Sequence, residues 1–210
     1  MLLITKRSER VKRNLKKYKN ISFVKECCVN VKPRLIGEYN LNNIALAAKV
    51  CKDLGIVKND IVKAVNKFNG VPRRFEHIGD FNKTKIYIDY AHHPSEIEQF
   101  VKAFVDKYKN CLIVFQPHTY SRTKTFFEQF INVLNKIDNL VIYKEYAARE
   151  SADCGYSAKD LYLKLKDIHK NVEYCSNSKK ILSKMSNFEA VAFVGAGDIN
   201  KVAEKIVETN

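Results

Sequence analysis

The strongest constraint on the fold is a run of short apolar segments alternating with helical ones over residues 84–208. Cys111-Leu112-Ile113-Val114-Phe115 and Ala190-Val191-Ala192-Phe193-Val194 are continuously apolar. Buried parallel strands read this way, because both of their faces are covered. Ile86-Tyr87-Ile88-Asp89, Leu140-Val141-Ile142-Tyr143 and a shorter Val172–Cys175 segment read as further strands. Between them lie stretches with helical spacing: Pro94 to about Tyr108, Arg122 to Asn135, Ala158 to Lys166, Lys179 to Met185, and Ile199 to Val207. Such alternation predicts an α/β class protein with an open, mostly parallel sheet and helices on both faces. In sheets of this kind ligands gather beyond the carboxyl ends of the strands. Polar clusters that follow strands are therefore the candidates for chemistry.

Asn69-Gly70-Val71-Pro72 is the clearest boundary in the chain. It joins a turn dipeptide to a proline that disfavours helix in the residue before it. Upstream, Leu41, Ile44, Ala45, Ala48, Val50 and Cys51 form an apolar face at helical spacing, with Gly55 placed to cap its end. A second helix is predicted from Asn59 to Phe68, with Ile61, Val62, Val65 and Phe68 inward. A short basic helix over residues 8–18, capped by Ser8, and a strand within Ile21–Val31 are weaker expectations. The resulting division is 1–36, a basic segment; 37–70, helical; and 71–210, the α/β domain.

Net charge is +14, concentrated in residues 1–36, where eleven Lys or Arg face only Glu9 and Glu26. A basic arm can bind nucleic acid by neutralising phosphates. This one has no aromatic ladder or known nucleic-acid module, so a solvated lysine-rich face is the simpler reading and nucleic acid is not the expected partner. No stretch approaches the roughly 18 apolar residues of a membrane span, and Lys6-Arg7 interrupts the opening apolar residues. A cytoplasmic location without membrane association is expected. The 6 cysteines show no Cys-x-x-Cys pair and no disulfide framework.

Four polar clusters are candidates for function. Asn40 and Asn43, three apart at a helix opening, can point two amides the same way. An amide both donates and accepts, which suits a purine edge, although Asn40 can equally serve its own helix. Arg73-Arg74-Phe75-Glu76 can clamp phosphate or ribose, or place one arginine in a surface ion pair. Asp89-Tyr90-Ala91-His92-His93-Pro94-Ser95-Glu96 lies where a strand gives way to a helix, with Asp89 able to accept from ribose hydroxyls. Neighbouring histidines in an extended turn point apart, so no shared metal is expected. Gln116-Pro117-His118-Thr119-Tyr120-Ser121-Arg122 combines imidazole, hydroxyls and guanidinium in one loop suited to a carboxylate or phosphate. A fifth segment, Gly195-Ala196-Gly197-Asp198, lacks the third glycine of the dinucleotide fingerprint and reads as a tight strand-to-helix turn.

In their order these motifs resemble the UDP-N-acetylmuramate–L-alanine ligases of the Mur ligase family. The carriers are Gly-x-x-Asn-x-x-Asn from Gly37, Gly-Val-x-Arg-Arg-Phe-Glu from Gly70, Asp-Tyr-Ala-His-His-Pro from Asp89, Gln-Pro-His-x-Tyr-Ser-Arg-Thr from Gln116, then Ala-Arg-Glu at Ala148 and Gly-Ala-Gly-Asp-Ile at Gly195. The similarity is close from Gly37 onward and poor over residues 1–36. It implies that 37–70 is the C-terminal end of a central ATP-binding domain. It also implies that 71–210 is a Rossmann-like C-terminal domain. The reaction implied is ATP-driven: the muramate carboxylate becomes an acyl phosphate, which the amine of L-alanine attacks. Carried over residue by residue, Asn40 and Asn43 would meet adenine, Arg74 and Asp89 the ribose and phosphates, and His92, His118 and Arg122 the alanine and acyl groups. Tyr39 stands where a histidine is common, and Thr119 where an arginine is common.

None of the 7 glycines precedes a lysine, so the chain holds no phosphate-binding P-loop. The family's Mg²⁺ ligands likewise belong to sequence upstream of these motifs. Without that cradle the acyl-phosphate step lacks its main electrostatic support. The expectation is that this chain does not ligate alone. UDP-N-acetylmuramate and L-alanine are the implied substrates. A separate ATP-binding chain, as in a split enzyme, or a purely nucleotide- or UDP-sugar-binding role are the alternatives.

Overall fold

A computed structural model describes residues 2–5, 21–24, 27–33, 35–151 and 156–209. The basic helix expected over 8–18 lies outside the described residues. The chain divides into two compact units, residues 1–70 and 71–210.

In the first unit, strands β1 (Leu2–Thr5) and β2 (Ile21–Val24) pair in parallel, Leu2 opposite Ile21 and Thr5 opposite Val24. Two helices follow, α1 (Glu38–Asp53) and α2 (Lys58–Lys67). Helix α1 buries Ile44, Ala45 and Ala48, the inner positions of its apolar stripe. Its end is a Schellman arrangement. Gly55, at φ 82°, donates to Lys52 O, and Ile56 donates to Cys51 O, each at 3.0 Å. Ala48 and Ile61 share a small core with Val29, flanked by Cys27, Cys28, Cys51 and Val65.

The second unit is a six-stranded sheet in the order β3-β4-β8-β5-β6-β7. Its strands are β3 (Glu76–Phe81), β4 (Thr84–Asp89), β5 (Cys111–Phe115), β6 (Leu140–Tyr143), β7 (Val172–Cys175) and β8 (Ala190–Val194). The helices are α3 (Pro94–Lys107), α4 (Tyr120–Thr125), α5 (Phe127–Leu134), α6 (Ala158–Lys166), α7 (Lys179–Met185) and α8 (Ile199–Glu208). Every pairing is parallel except β3 with β4. One face packs Ile86, Ile88, Leu112, Val114, Val191 and Phe193 against Ile181, Met185, Ile199, Ala203 and Ile206 of α7 and α8. On the other face, Phe100 and Phe104 of α3 stack with centroids 5.4 Å apart and meet Phe75, Tyr87 and Tyr108. Both phenylalanines are almost wholly buried. Burying rings of this size supplies much of the driving force for folding.

The architecture is the predicted one, with two local differences. Strand β3 has no counterpart in the sequence reading. Its mixture of Glu76, His77, Gly79 and Asp80 with Ile78 and Phe81 carries no strand signal, and it exists by pairing antiparallel with β4 at the sheet edge. The helix expected over 122–135 is two helices, broken at Phe126, whose φ of −114° leaves the helical range. Among the described residues no helix is long and apolar enough to cross a membrane.

Register decides where the strand-end loops lie. Asp89 pairs with Val194, Val194 with Phe115, and Phe115 with Ile142. The carboxyl ends of β4, β8, β5 and β6 are therefore level, and the loops after them emerge on one edge.

Candidate active site

Gln116, 1% exposed, knits that edge together. Its backbone N–H donates to Val194 O at 2.9 Å. Its side-chain Nε2 donates to the Asp198 carboxylate at 2.8 Å and to Lys144 O at 3.3 Å, while Oε1 accepts from Ile199 N at 3.0 Å. One side chain thus joins the loops after β5, β6 and β8 and satisfies a backbone donor at the start of α8, which otherwise lacks a helical partner. The 195–198 segment is the tight turn its sequence suggested. A Cβ on Gly197 would stand 2.4 Å from Tyr146 Cβ and 2.5 Å from Gln116 Oε1, so only glycine fits.

Asp89 ends β4 and is 3% exposed. Its two carboxylate oxygens accept from the backbone amides of Phe75 and Ala91, each at 2.8 Å. Burial pushes its carboxyl up to about 6, against the pull of those two amides and of Arg74. In this arrangement Asp89 fastens the 73–75 segment to the strand end. Arg73 is the packed member of the arginine pair. Its Nη2 donates to Gly195 O (2.7 Å) and Gly197 O (3.1 Å), and its guanidinium lies 4.6 Å from the Tyr90 ring centroid. Arg74 is exposed.

The two histidines after β4 diverge. His93 caps α3, its Nδ1 accepting from Ser95 N, and its ring meets Phe126 at 4.5 Å. His92 turns the other way. Its ring lies 5.4 Å from Tyr90 and 6.1 Å from His118, and its Nδ1 is 2.9 Å from Tyr90 O and 3.6 Å from Glu96 Oε2. Burial opposes ionisation of Glu96. The His92 amide, the His92 ring, the His93 amide and Arg74 outweigh it and hold that carboxyl below its usual range.

His118 follows β5 and stacks on Tyr146, centroids 5.5 Å apart. Arg122 Nη1 lies 2.9 Å from His118 Nδ1. Burial, then the charges of Arg122 and His92, keep the His118 ring below the usual imidazole range. Thr119, at φ 64°, caps α4 by accepting from Arg122 N, so its hydroxyl serves the turn. Glu150, in the Ala-Arg-Glu motif, accepts from Ser121 N at 2.8 Å and lies 2.5 Å from Ser121 Oγ. Bonds to Ser121 lower its carboxyl.

The second unit thus gathers Asp89, His92, His118 and Arg122 on one edge, with Arg74 exposed on the segment that Asp89 holds through Phe75. Asn40 and Asn43 belong to the first unit. Asn40 Nδ2 donates to Ile36 O at 2.7 Å, and Asn43 is exposed.

The profile for "Mur ligase, glutamate ligase domain" matches residues 73–198. The chain belongs to the Mur ligase family. A UDP-N-acetylmuramate–L-alanine ligase of Caldicellulosiruptor saccharolyticus is 39% identical over 184 residues, covering 85% of this chain and 40% of that protein. The protein of the same name from Aquifex aeolicus is 33% identical over 180 residues, covering 83% and 38%. The crystal structure of a UDP-N-acetylmuramate–alanine ligase from Thermotoga maritima superposes with a TM-score of 0.69 at 25% identity, covering 85% of this chain and 39% of the other. This Mur ligase chain spans about 40% of the length of the curated relatives it matches.

Among the described residues of this Mur ligase chain no group of three His, Cys, Asp or Glu is placed to hold a metal ion. Three site residues escaped the sequence reading as individuals. Arg73 was not separable from Arg74, Tyr146 had no motif, and Glu96 stood in the right motif without a role. The available signal is the capping pattern: Glu96 is three residues after the cap His93, where a carboxylate turns back to the chain entering the helix.

Proposed function

We propose that the chain is the C-terminal portion of an ATP-dependent UDP-N-acetylmuramate–L-alanine ligase of peptidoglycan synthesis, acting in the cytoplasm. The observation that carries this is the meeting of His92, His118 and Arg122 on one strand-end edge of a Mur ligase domain, in a chain 39% identical over 184 residues to a relative bearing that name. Arg122 and the two imidazoles offer one fixed cation and two ring nitrogens beside an amino acid and an acyl group. That set suits a carboxylate ligand and an amine nucleophile.

ATP, when bound, supplies the phosphoryl group that activates the muramate carboxylate. In the second unit Arg74 is the exposed candidate for a phosphate contact; in the first unit, taken by itself, Asn43 is the exposed candidate for adenine. Asn40 spends one Nδ2 hydrogen on Ile36 O and keeps Oδ1 and a second Nδ2 hydrogen for adenine. Asp89 acts in this reading by holding the arginine segment in place. In this reading the Mg²⁺ ligands lie in the sequence upstream of these motifs, as the resemblance implies.

The test combines this chain with a polypeptide carrying the upstream portion of a relative. ADP release is then followed with UDP-N-acetylmuramate, with and without L-alanine. Turnover that needs L-alanine and both polypeptides supports the proposal. Nucleotide binding by calorimetry with no turnover in the combined sample would replace it with a binding module.

A further inference from the structure

His92 and His118 face each other across the gap between the loops after β4 and β5, yet their surroundings are opposite in sign. A neutral imidazole has one N–H and one lone pair, and the partner of one nitrogen fixes the role of the other. His92 Nδ1 sits 2.9 Å from a carbonyl oxygen, Tyr90 O, and 3.6 Å from the Glu96 carboxylate. Both are acceptors only, so Nδ1 carries the hydrogen and Nε2 keeps its lone pair. His118 Nδ1 sits 2.9 Å from a guanidinium nitrogen of Arg122, which can only donate. Its Nδ1 lone pair is therefore occupied, and its hydrogen is on Nε2.

We infer that the two rings are held as opposite tautomers with different catalytic roles: His92 Nε2 takes a proton from the incoming amine, and His118 Nε2–H donates to the acyl oxygen. The amine-proton and acyl-oxygen roles rest on the ligase reading above; the tautomers do not. Charge separates the two rings in the same sense. The Glu96 carboxylate stands 3.6 Å from His92 Nδ1, the nitrogen that carries the hydrogen. Arg122 opposes positive charge on His118. The groups facing His92 are Glu96, Tyr90 and His118; those facing His118 are Arg122, His92, Tyr146 and Glu150.

The step balances as follows. One proton of the L-alanine ammonium passes to His92 Nε2. The freed nitrogen lone pair forms the N–C bond to the acyl phosphate. The carbonyl oxygen, gaining charge, accepts a hydrogen bond from His118 Nε2–H. The C–O bond to phosphorus then breaks, its electron pair leaving with phosphate, which takes the second amine proton. Glu96 and Arg122 are positioning residues, each setting a tautomer.

The test begins with no substrate. Two-bond ¹H–¹⁵N correlation spectra of the uniformly ¹⁵N-labelled chain report each imidazole nitrogen as pyrrole-like or pyridine-like, with His92→Gln and His118→Gln assigning the signals. The expected pattern is a pyridine-like Nε2 in His92 and a pyridine-like Nδ1 in His118. The same tautomer in both rings, or averaging in either, overturns the proposal. Arg122→Met should release His118 to the mixed tautomer of a free imidazole and move its titration to higher pH. An unchanged His118 spectrum in that variant also overturns it. In the combined ligase, His92→Gln should lower kcat about a hundredfold or more with little change in the KM for L-alanine. Wild-type protein with the expected spectra and no alanine-dependent turnover would sink the ligase reading while leaving the tautomer pair standing.

Discussion

Gly197→Ala tests how tightly the strand-end edge is built. The added methyl would lie 2.4 Å from Tyr146 Cβ, 2.5 Å from Gln116 Oε1 and 2.6 Å from Tyr146 Cγ. Carbon atoms in good contact sit about 3.5–4.0 Å apart, so the neighbours must retreat by about 1 Å. Neither is free to do so. The Tyr146 ring is stacked on His118, and Gln116 Oε1 accepts from Ile199 N. Overpacking of this kind costs about 1–3 kcal/mol, and loss of the Gln116 bond adds about 1 kcal/mol. The expected total is about 3 kcal/mol, or a fall in Tm of roughly 10 °C for a domain of this size. The chain has no tryptophan, so urea unfolding is best followed by far-UV circular dichroism together with tyrosine fluorescence. The His118 ring signals should also shift, because Tyr146 must move. A variant within about 1 kcal/mol of wild type, with an unmoved His118, would refute the packing argument.

Three further outcomes follow from the same structure. Asp89 is raised to about 6 by burial, so the folded chain binds its proton more tightly than the unfolded chain does. Its stabilising contribution is present below pH 4 and is lost as pH rises through about 6. The stability of wild type relative to Asp89→Asn should fall by about 2.5 kcal/mol from pH 4 to pH 7 in urea titrations; a flat difference contradicts the burial argument. Phe104→Ala removes a fully buried ring that meets Phe75, Tyr87, Phe100 and Tyr108. It should cost about 3–5 kcal/mol by chemical denaturation, and a loss below 1 kcal/mol would show that the cluster is poorly packed. Arg73→Met removes two bonds to glycine carbonyls and the contact with Tyr90, and should cost about 2–3 kcal/mol, whereas Arg74→Met should change stability by less than about 0.5 kcal/mol. Equal effects would overturn the distinction between the two arginines.

Much of the second unit was legible because burial on both faces writes itself as unbroken apolar runs. Cys111–Phe115 and Ala190–Val194 are buried throughout, and they form neighbouring strands of the sheet. The strand-end rule then located His92 and His118 on one edge. Strand β3 was not legible, because an edge strand covered on one side can be polar at most positions and depends on β4 for its existence. The break at Phe126 has no glycine or proline to mark it. The insertion of β8 between β4 and β5 is a property of long-range pairing, which local pattern does not encode. The place of Asp89 at a strand end and in the Asp-Tyr-Ala-His-His-Pro motif carries its expected ribose contact. Its two amide partners, one from Phe75 across the turn, are a tertiary fact. Arg73 and Arg74 differ only in which way the chain turns, and a φ of 59° at Arg73 is not visible in the letters.

The loops after β4 and β5 either share one wall or they do not, and a nuclear Overhauser spectrum of the aromatic protons answers this directly. Ring centroids 6.1 Å apart place protons of His92 and His118 close enough for a cross-peak. The expected result is that cross-peak, seen alongside those between His118 and Tyr146 and between His93 and Phe126. If the latter two appear while the His92–His118 peak is absent, the loops stand apart and the single site built on them falls.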